Sequence, residues 1–164
     1  MKKNNLVVLL EISIMAALAF GLGYVKIYSM PNGGSVSLEM LPVVIMSFRR
    51  GVKEGVITGF ILGFLQMNLG GYIVSFPQVL FDYLLAFSVI GLSSMFGKKL
   101  PIAFGGIAIA CFLRFAAHTY VGVFAWEATW SGSVAYNAPY MIASTILVML
   151  VFIPITKNKL IMEA

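Results

Sequence analysis

Residues 101–122 read PIAFGGIAIACFLRFAAHTYVG, an apolar run interrupted by one arginine, Arg114, and one histidine, His118. Roughly 20 apolar residues in a helix cross a hydrocarbon core of about 30 Å, so this stretch reads as a membrane span with two costly side chains inside it. The rest of the chain repeats the pattern. Its 164 residues are 60% hydrophobic and 10% charged, with a mean hydropathy of +0.97, where soluble domains carry about 25% charged residues. The candidate spans are 6–25, 35–48, 54–69, 77–96, 101–122 and 135–155. Connections this short hold no soluble domain, so residues 1–164 read as one all-α integral membrane domain, a bundle of six transmembrane helices in the lipid bilayer. Segments of about ten residues alternating inside and outside, the mark of a membrane β-barrel, are missing.

Basic residues set the orientation. Lys2, Lys3, Arg49, Arg50, Lys53, Lys98, Lys99, Lys157 and Lys159 fall on one side of a six-span chain, and Lys26 alone on the other. Both termini are therefore expected in the cytoplasm of a bacterial cell. Topology accounts for the net charge of +5, so it implies no nucleic acid partner. Lys2 and Lys3 ahead of an apolar run, with Ala17-Leu18-Ala19 further on, resemble a signal peptide. Glu11 interrupts that run, and its removal would spoil the even span count, so the first span is read as retained. Cys111 lies inside the fifth span with no ligand pattern beside it, which suits packing rather than a disulfide or a metal.

Energy-coupling chemistry is absent from the chain. Gly91 to Lys99 superficially resembles a nucleotide phosphate loop, but five residues separate the glycines instead of four, and Lys99 stands where Ser or Thr is required. No nucleophile–base pair, cofactor motif or metal motif appears. Small residues do recur at helical spacing: Ser13, Ala17 and Gly21 in the first span, and Gly55, Gly59 and Gly63 in the third. In lipid such stripes permit close helix contact, either within the bundle or with a partner membrane protein.

The ionisable groups in or near spans are Glu11, Glu39, Asp82, Arg114 and His118. Glu11 lies near the inner end and reads as reaching the headgroups. The others fall toward the outer level, where Tyr72, Tyr83, Trp126, Trp130, Tyr136, Asn137 and Tyr140 also gather. Aromatics favour membrane interfaces in any case, and Arg114 reads equally well as a counter-ion for Asp82. A cluster that also holds the only His and a membrane acid suits a pocket for a small, flat cation, held by carboxylates and by ring faces.

These residues resemble the bacterial thiamine transporter family, the substrate-binding S components of energy-coupling factor (ECF) transporters. The resemblance rests on Gly33 to Pro42, on Arg49-Arg50-Gly51-Val52-Lys53, and on Gly70 to Val74. It continues through Asp82-Tyr83, Leu113-Arg114-Phe115 with His118, and Tyr136-Asn137 near Tyr140, in the same order over most of the chain. It implies a six-helix fold that binds thiamine from outside, a separate transmembrane scaffold (T) subunit, and two ATPase subunits. It assigns the acidic ligand to Asp82, where the family commonly has Glu, the histidine to His118, the stacking tryptophan to Trp126, and polar contacts to Tyr72 and Asn137. Glu39 falls in the matching loop-to-helix segment. The family's tryptophan in the first outer loop has no counterpart between Val25 and Ser37, leaving Trp130 or an outer tyrosine to compensate. It further implies that Ser13, Ala17 and Gly21 dock on the scaffold. The rival readings are an S component for another vitamin or a thiamine precursor, a small membrane enzyme using Asp82 and His118 as acid and base, and a structural membrane protein.

Overall fold

The computed structural model describes residues 3–31 and 33–158; Lys2, Asn32, Lys159 and the side chain of Lys3 lie outside the described residues. Six helical elements follow in order: α1 (Lys3–Leu22), α2 (Leu41–Arg50), α3 (Val52–Leu69), α4 (Phe76–Ser94), α5 (Leu100–Phe124) and α6 (Trp130–Thr156). Between α1 and α2 lies a short hairpin of β1 (Tyr28–Ser29) and β2 (Ser35–Val36), antiparallel with Tyr28 opposite Val36. Helices α1, α4, α5 and α6 are long and apolar enough to cross a membrane.

The stretch 35–48 differs from the single span expected. Gly33 and Gly34 take φ of 94° and 70°, which turns the chain back through the hairpin. Ser37 to Met40 then form a turn, and Pro42 in the first helical turn starts α2 at Leu41. At about 1.5 Å per residue, the ten residues of α2 rise only about 15 Å. All its residues from Leu41 to Phe48 are buried, as expected of a stretch that is apolar save for Ser47. Helix α2 is thus the centre of the core, where Phe48 meets Phe152 of α6 with ring centroids 4.9 Å apart.

Helix α4 is irregular. It opens on Ser75, whose Oγ accepts the Gln78 N–H at 3.3 Å. It then widens to a π-helical turn over Val79–Leu85 and tightens to 3-10 geometry over Val89–Ser94. Its backbone lies directly on the glycine stripe of α3. A Cβ at Gly59 would strike the Phe87 carbonyl, and one at Gly63 the Tyr83 carbonyl. That stripe is consumed inside the bundle. Near the far end, Ser47 Oγ donates to Gly91 O at 2.6 Å, and Ser94 Oγ donates to Ser47 O at 2.7 Å, tying α2 to α4.

Helix α1 turns Ile12, Ala16 and Ala19 inward, whereas Ser13, Ala17 and Gly21 are exposed and face away from the bundle. Glu11 does not merely reach headgroups. Arg50 clamps it at 2.6 and 2.8 Å, and Arg49 NH2 lies 3.2 Å from it, so α1 is tied to the end of α2.

The glycine contacts have a measurable consequence. Gly59→Ala and Gly63→Ala are each expected to destabilise the protein by about 1–3 kcal/mol, the usual cost of overpacking. Gly105→Ala, whose Cβ meets nothing within 4 Å, is expected to stabilise by about 1 kcal/mol through helix propensity. Thermal unfolding in detergent, with the three variants side by side, checks the contrast.

Candidate functional site

Both carboxylates that the bundle brings to one end are held by hydrogen bonds before any ligand arrives. Glu39 sits on the turn leading into α2 and is 9% exposed. Its Oε1 takes Arg114 NH2 at 2.7 Å and its Oε2 takes Gln66 Nε2 at 3.2 Å. The Arg114 guanidinium lies 4.2 Å from the centroid of the Phe87 ring, a cation–π contact on a residue only 6% exposed. Arg114 therefore neutralises Glu39 and not Asp82.

The network continues along α5. Arg114 Nε donates to His118 Nε2 at 3.2 Å. That nitrogen must be unprotonated to accept, so the proton of a neutral ring sits on Nδ1, which donates to Asp82 Oδ1 at 2.8 Å. Gln78 Nε2 donates to the other oxygen, Oδ2, at 3.0 Å. Six side chains from α2's leading turn, α3, α4 and α5 thus form one string: Gln66, Glu39, Arg114, His118, Asp82, Gln78. The π turn of α4 places Asp82 one widened turn beyond Gln78, so both reach the same side.

This string borders a cavity of about 840 Å³, within the range of small-molecule sites. Its walls include Glu39, Tyr72, Asp82, His118, Trp126, Tyr136, Asn137 and Tyr140. Trp130 does not line it. That ring is 57% exposed and packs edge-on against Phe124, with centroids 6.0 Å apart. Trp126, half-exposed, is brought to the cavity wall by a loop in which Glu127 takes φ 55° and Ala128 N–H bonds Gly122 O at 3.0 Å. Asn137 gives its amide N–H to Ser133 O at 2.9 Å and accepts the Tyr140 hydroxyl at 2.7 Å. The β1–β2 hairpin closes one side, because Tyr136 OH donates to Gly33 O at 2.8 Å and Gly34 lies on the Tyr140 ring. Ser144 Oγ holds Ser35 O at 3.2 Å.

Charge follows from the string. Among the buried and half-buried wall residues, Arg114 cancels Glu39 and His118 is neutral, which leaves the charge of Asp82. Lys26 borders the cavity from its exposed rim. The recess is therefore net negative at Asp82, and five tyrosines and an indole line it: Tyr24, Tyr72, Tyr83, Tyr136, Tyr140 and Trp126. Such a site suits a flat organic cation. Sequence reading passed over Gln66 and Gln78. The signal was available, since these are the chain's only glutamines and a buried amide is costly unless bonded.

Comparison with known proteins gives the family and the fold. A family profile described as "Thiamine transporter protein" matches residues 9–163. The thiamine transporter ThiT of Bacillus subtilis is 38% identical over 173 residues, covering 92% of this chain and 90% of that protein. The thiamine transporter ThiT of Lacticaseibacillus paracasei is 28% identical, covering 90% and 86%. Among solved structures, ThiT from Listeria monocytogenes superposes with a TM-score of 0.89 at 24% identity, over 99% of this chain and all of that one. The S component of a bacterial ECF transporter gives a TM-score of 0.67 at 18% identity, covering 93% and 95%. At these identities the two structures establish the fold.

The buried ion pair makes a prediction of its own. Arg114→Met strands the Glu39 carboxylate and is expected to cost about 3–5 kcal/mol, whereas Arg114→Met combined with Glu39→Leu recovers most of that loss. Thermal unfolding of the single and double variants measures both.

Proposed function

This chain belongs to the thiamine transporter protein family, a family of transport proteins rather than enzymes, and on that premise we propose that it is the thiamine-binding S component of an ECF-type importer. It captures thiamine at the outer face of a bacterial cell membrane. The observation that carries this reading is the charge of the recess: one uncancelled carboxylate, Asp82, among aromatic walls. Thiamine joins a flat thiazolium ring, which carries one fixed positive charge, through a methylene to a flat aminopyrimidine with hydrogen-bonding groups.

In this proposal Asp82 faces the charged part of thiamine, with Trp126 and Tyr136 supplying ring faces. His118 and Asn137 give directional hydrogen bonds, and Tyr72 and Tyr140 complete the wall. Glu39 acts mainly by holding Arg114, since its oxygens already serve Arg114 and Gln66. Trp130, which lies outside the wall, serves the membrane interface. The chain crosses the membrane six times, the second crossing being completed by the β2 strand and turn ahead of the ten-residue α2, and both termini are cytoplasmic. The exposed Ser13, Ala17 and Gly21 face of α1 docks on the transmembrane T subunit, and two ATPase subunits supply the energy. The uneven distribution of basic residues and the outward direction of that stripe support these assignments.

Thiamine is expected to quench the intrinsic fluorescence of the detergent-solubilised protein saturably at submicromolar concentration. Trp126→Phe should abolish the response and Trp130→Phe should preserve it. Asp82→Asn should weaken binding by about 10- to 100-fold, as for a lost hydrogen bond to a charged group. An equal response to riboflavin, or tighter binding of the isolated pyrimidine fragment, would replace thiamine with another ligand.

A further inference from the structure

Gln78 is the least exposed polar side chain bordering the cavity, at 1%. Packing alone does not call for an amide there, because an apolar side chain would fill the same space without desolvating two polar atoms. Both of those atoms are employed. The amide nitrogen donates to Asp82 Oδ2 at 3.0 Å, and the amide oxygen accepts the Val74 N–H at 3.3 Å. Val74 belongs to the 71–75 segment, which has no regular secondary structure and carries Tyr72 at the cavity wall. The same segment is held to α4 by Tyr83, whose hydroxyl donates to Tyr72 O at 3.0 Å.

The two oxygens of Asp82 are thus fixed from different helices, Oδ2 by Gln78 on α4 and Oδ1 by His118 on α5. A carboxylate held at both oxygens cannot swing, and each oxygen keeps one further acceptor position. We propose that Gln78 is a positioning residue for cation recognition: it fixes the Asp82 carboxylate toward the cavity and, through Val74, couples that acid to the 71–75 segment at the wall. This rests on the thiamine-binding reading above, and Gln78 itself need not touch the ligand. Affinity for the cation then depends on Gln78 only while Asp82 is present to be positioned.

The experiment is a double-mutant cycle on thiamine affinity, with Gln78→Met made alone and in an Asp82→Ala background. The amide exchange rate of Val74 is read in ligand-free protein. Gln78→Met is expected to weaken thiamine binding by about tenfold in the parent and less than twofold beside Asp82→Ala, the non-additivity of coupled neighbours. It should also speed Val74 exchange by at least tenfold. Gln78→Asn retains the amide but is one methylene too short to span both partners, and provides the same comparison should Gln78→Met fold poorly. Equal losses in both backgrounds, or unchanged Val74 exchange, would overturn the positioning role while leaving thiamine capture intact. Failure of the parent protein to bind thiamine would overturn the functional reading, and this role with it.

Discussion

A guanidinium placed inside an apolar bundle must be neutralised where it stands, and the Arg114–Glu39 pair meets that demand at 2.7 Å with both residues under a tenth exposed. Much of the surrounding architecture follows from it. Glu39 reaches α5 only because the chain breaks after the hairpin and starts α2 late, leaving the acid on a turn beneath the cavity. Desolvating two charges is expensive, and their attraction repays that only when the remaining hydrogen-bonding capacity is also met. Gln66 on the second Glu39 oxygen, Phe87 against the guanidinium and His118 on its Nε meet it here. Neutralising Arg114 from α2 instead of α4 leaves Asp82 with its charge uncancelled, and that remainder is what a cationic solute can use.

Such a string needs helices that approach closely and stay in register. Helix α3 supplies a smooth glycine face, and α4 lays its carbonyls on it at Gly59 and Gly63. Over the same contacts α4 departs from regular α geometry and passes from π to 3-10 turns. The π turn falls on Asp82 and Tyr83, so the distortion and the acid that lines the cavity occupy the same seven residues. Local irregularity of this kind is common where a helix serves a site.

The sequence revealed the class of the protein and the charged and several aromatic residues of the cavity wall, for definable reasons. Hydropathy over 101–122 and 135–155 marks long buried-in-lipid helices because every residue contributes. The polar cluster was legible because charge at membrane depth is rare. The short α2 was not legible, since an apolar run of 14 residues from 35 to 48 has the same composition whether it crosses as one helix or folds as strand, turn and helix. Pro42 and the Gly33-Gly34 pair were the available marks. Partner choice was equally hidden. Arg114 is nearer in sequence to Asp82, yet pairs with Glu39, 75 positions away. Glu11 likewise meets Arg49 and Arg50 through packing that no local pattern encodes. Trp130 fell inside the expected cluster by level in the membrane, but level does not fix azimuth, and its ring turns to Phe124.

The same contacts relate the cavity to the exposed face of α1. At the end remote from the cavity, Glu11 is gripped by Arg49 and Arg50 from the last turn of α2. At the cavity end, Gly23 lies so close to Glu39 and Gln66 that a Cβ there would stand 3.1 Å from the carboxylate and 3.0 Å from the amide. Helix α1 is therefore tied to α2 by ion pairs at one end, and the residue following it lies close against Glu39 at the other. Between those ends Ile12, Ala16 and Ala19 pack inward. A helix fixed in this way cannot rotate to expose a different stripe without breaking ion pairs at one end or displacing Glu39 at the other. The outward direction of Ser13, Ala17 and Gly21 thus follows from the inward packing of Ile12, Ala16 and Ala19 and from the grip of Arg49 and Arg50 on Glu11.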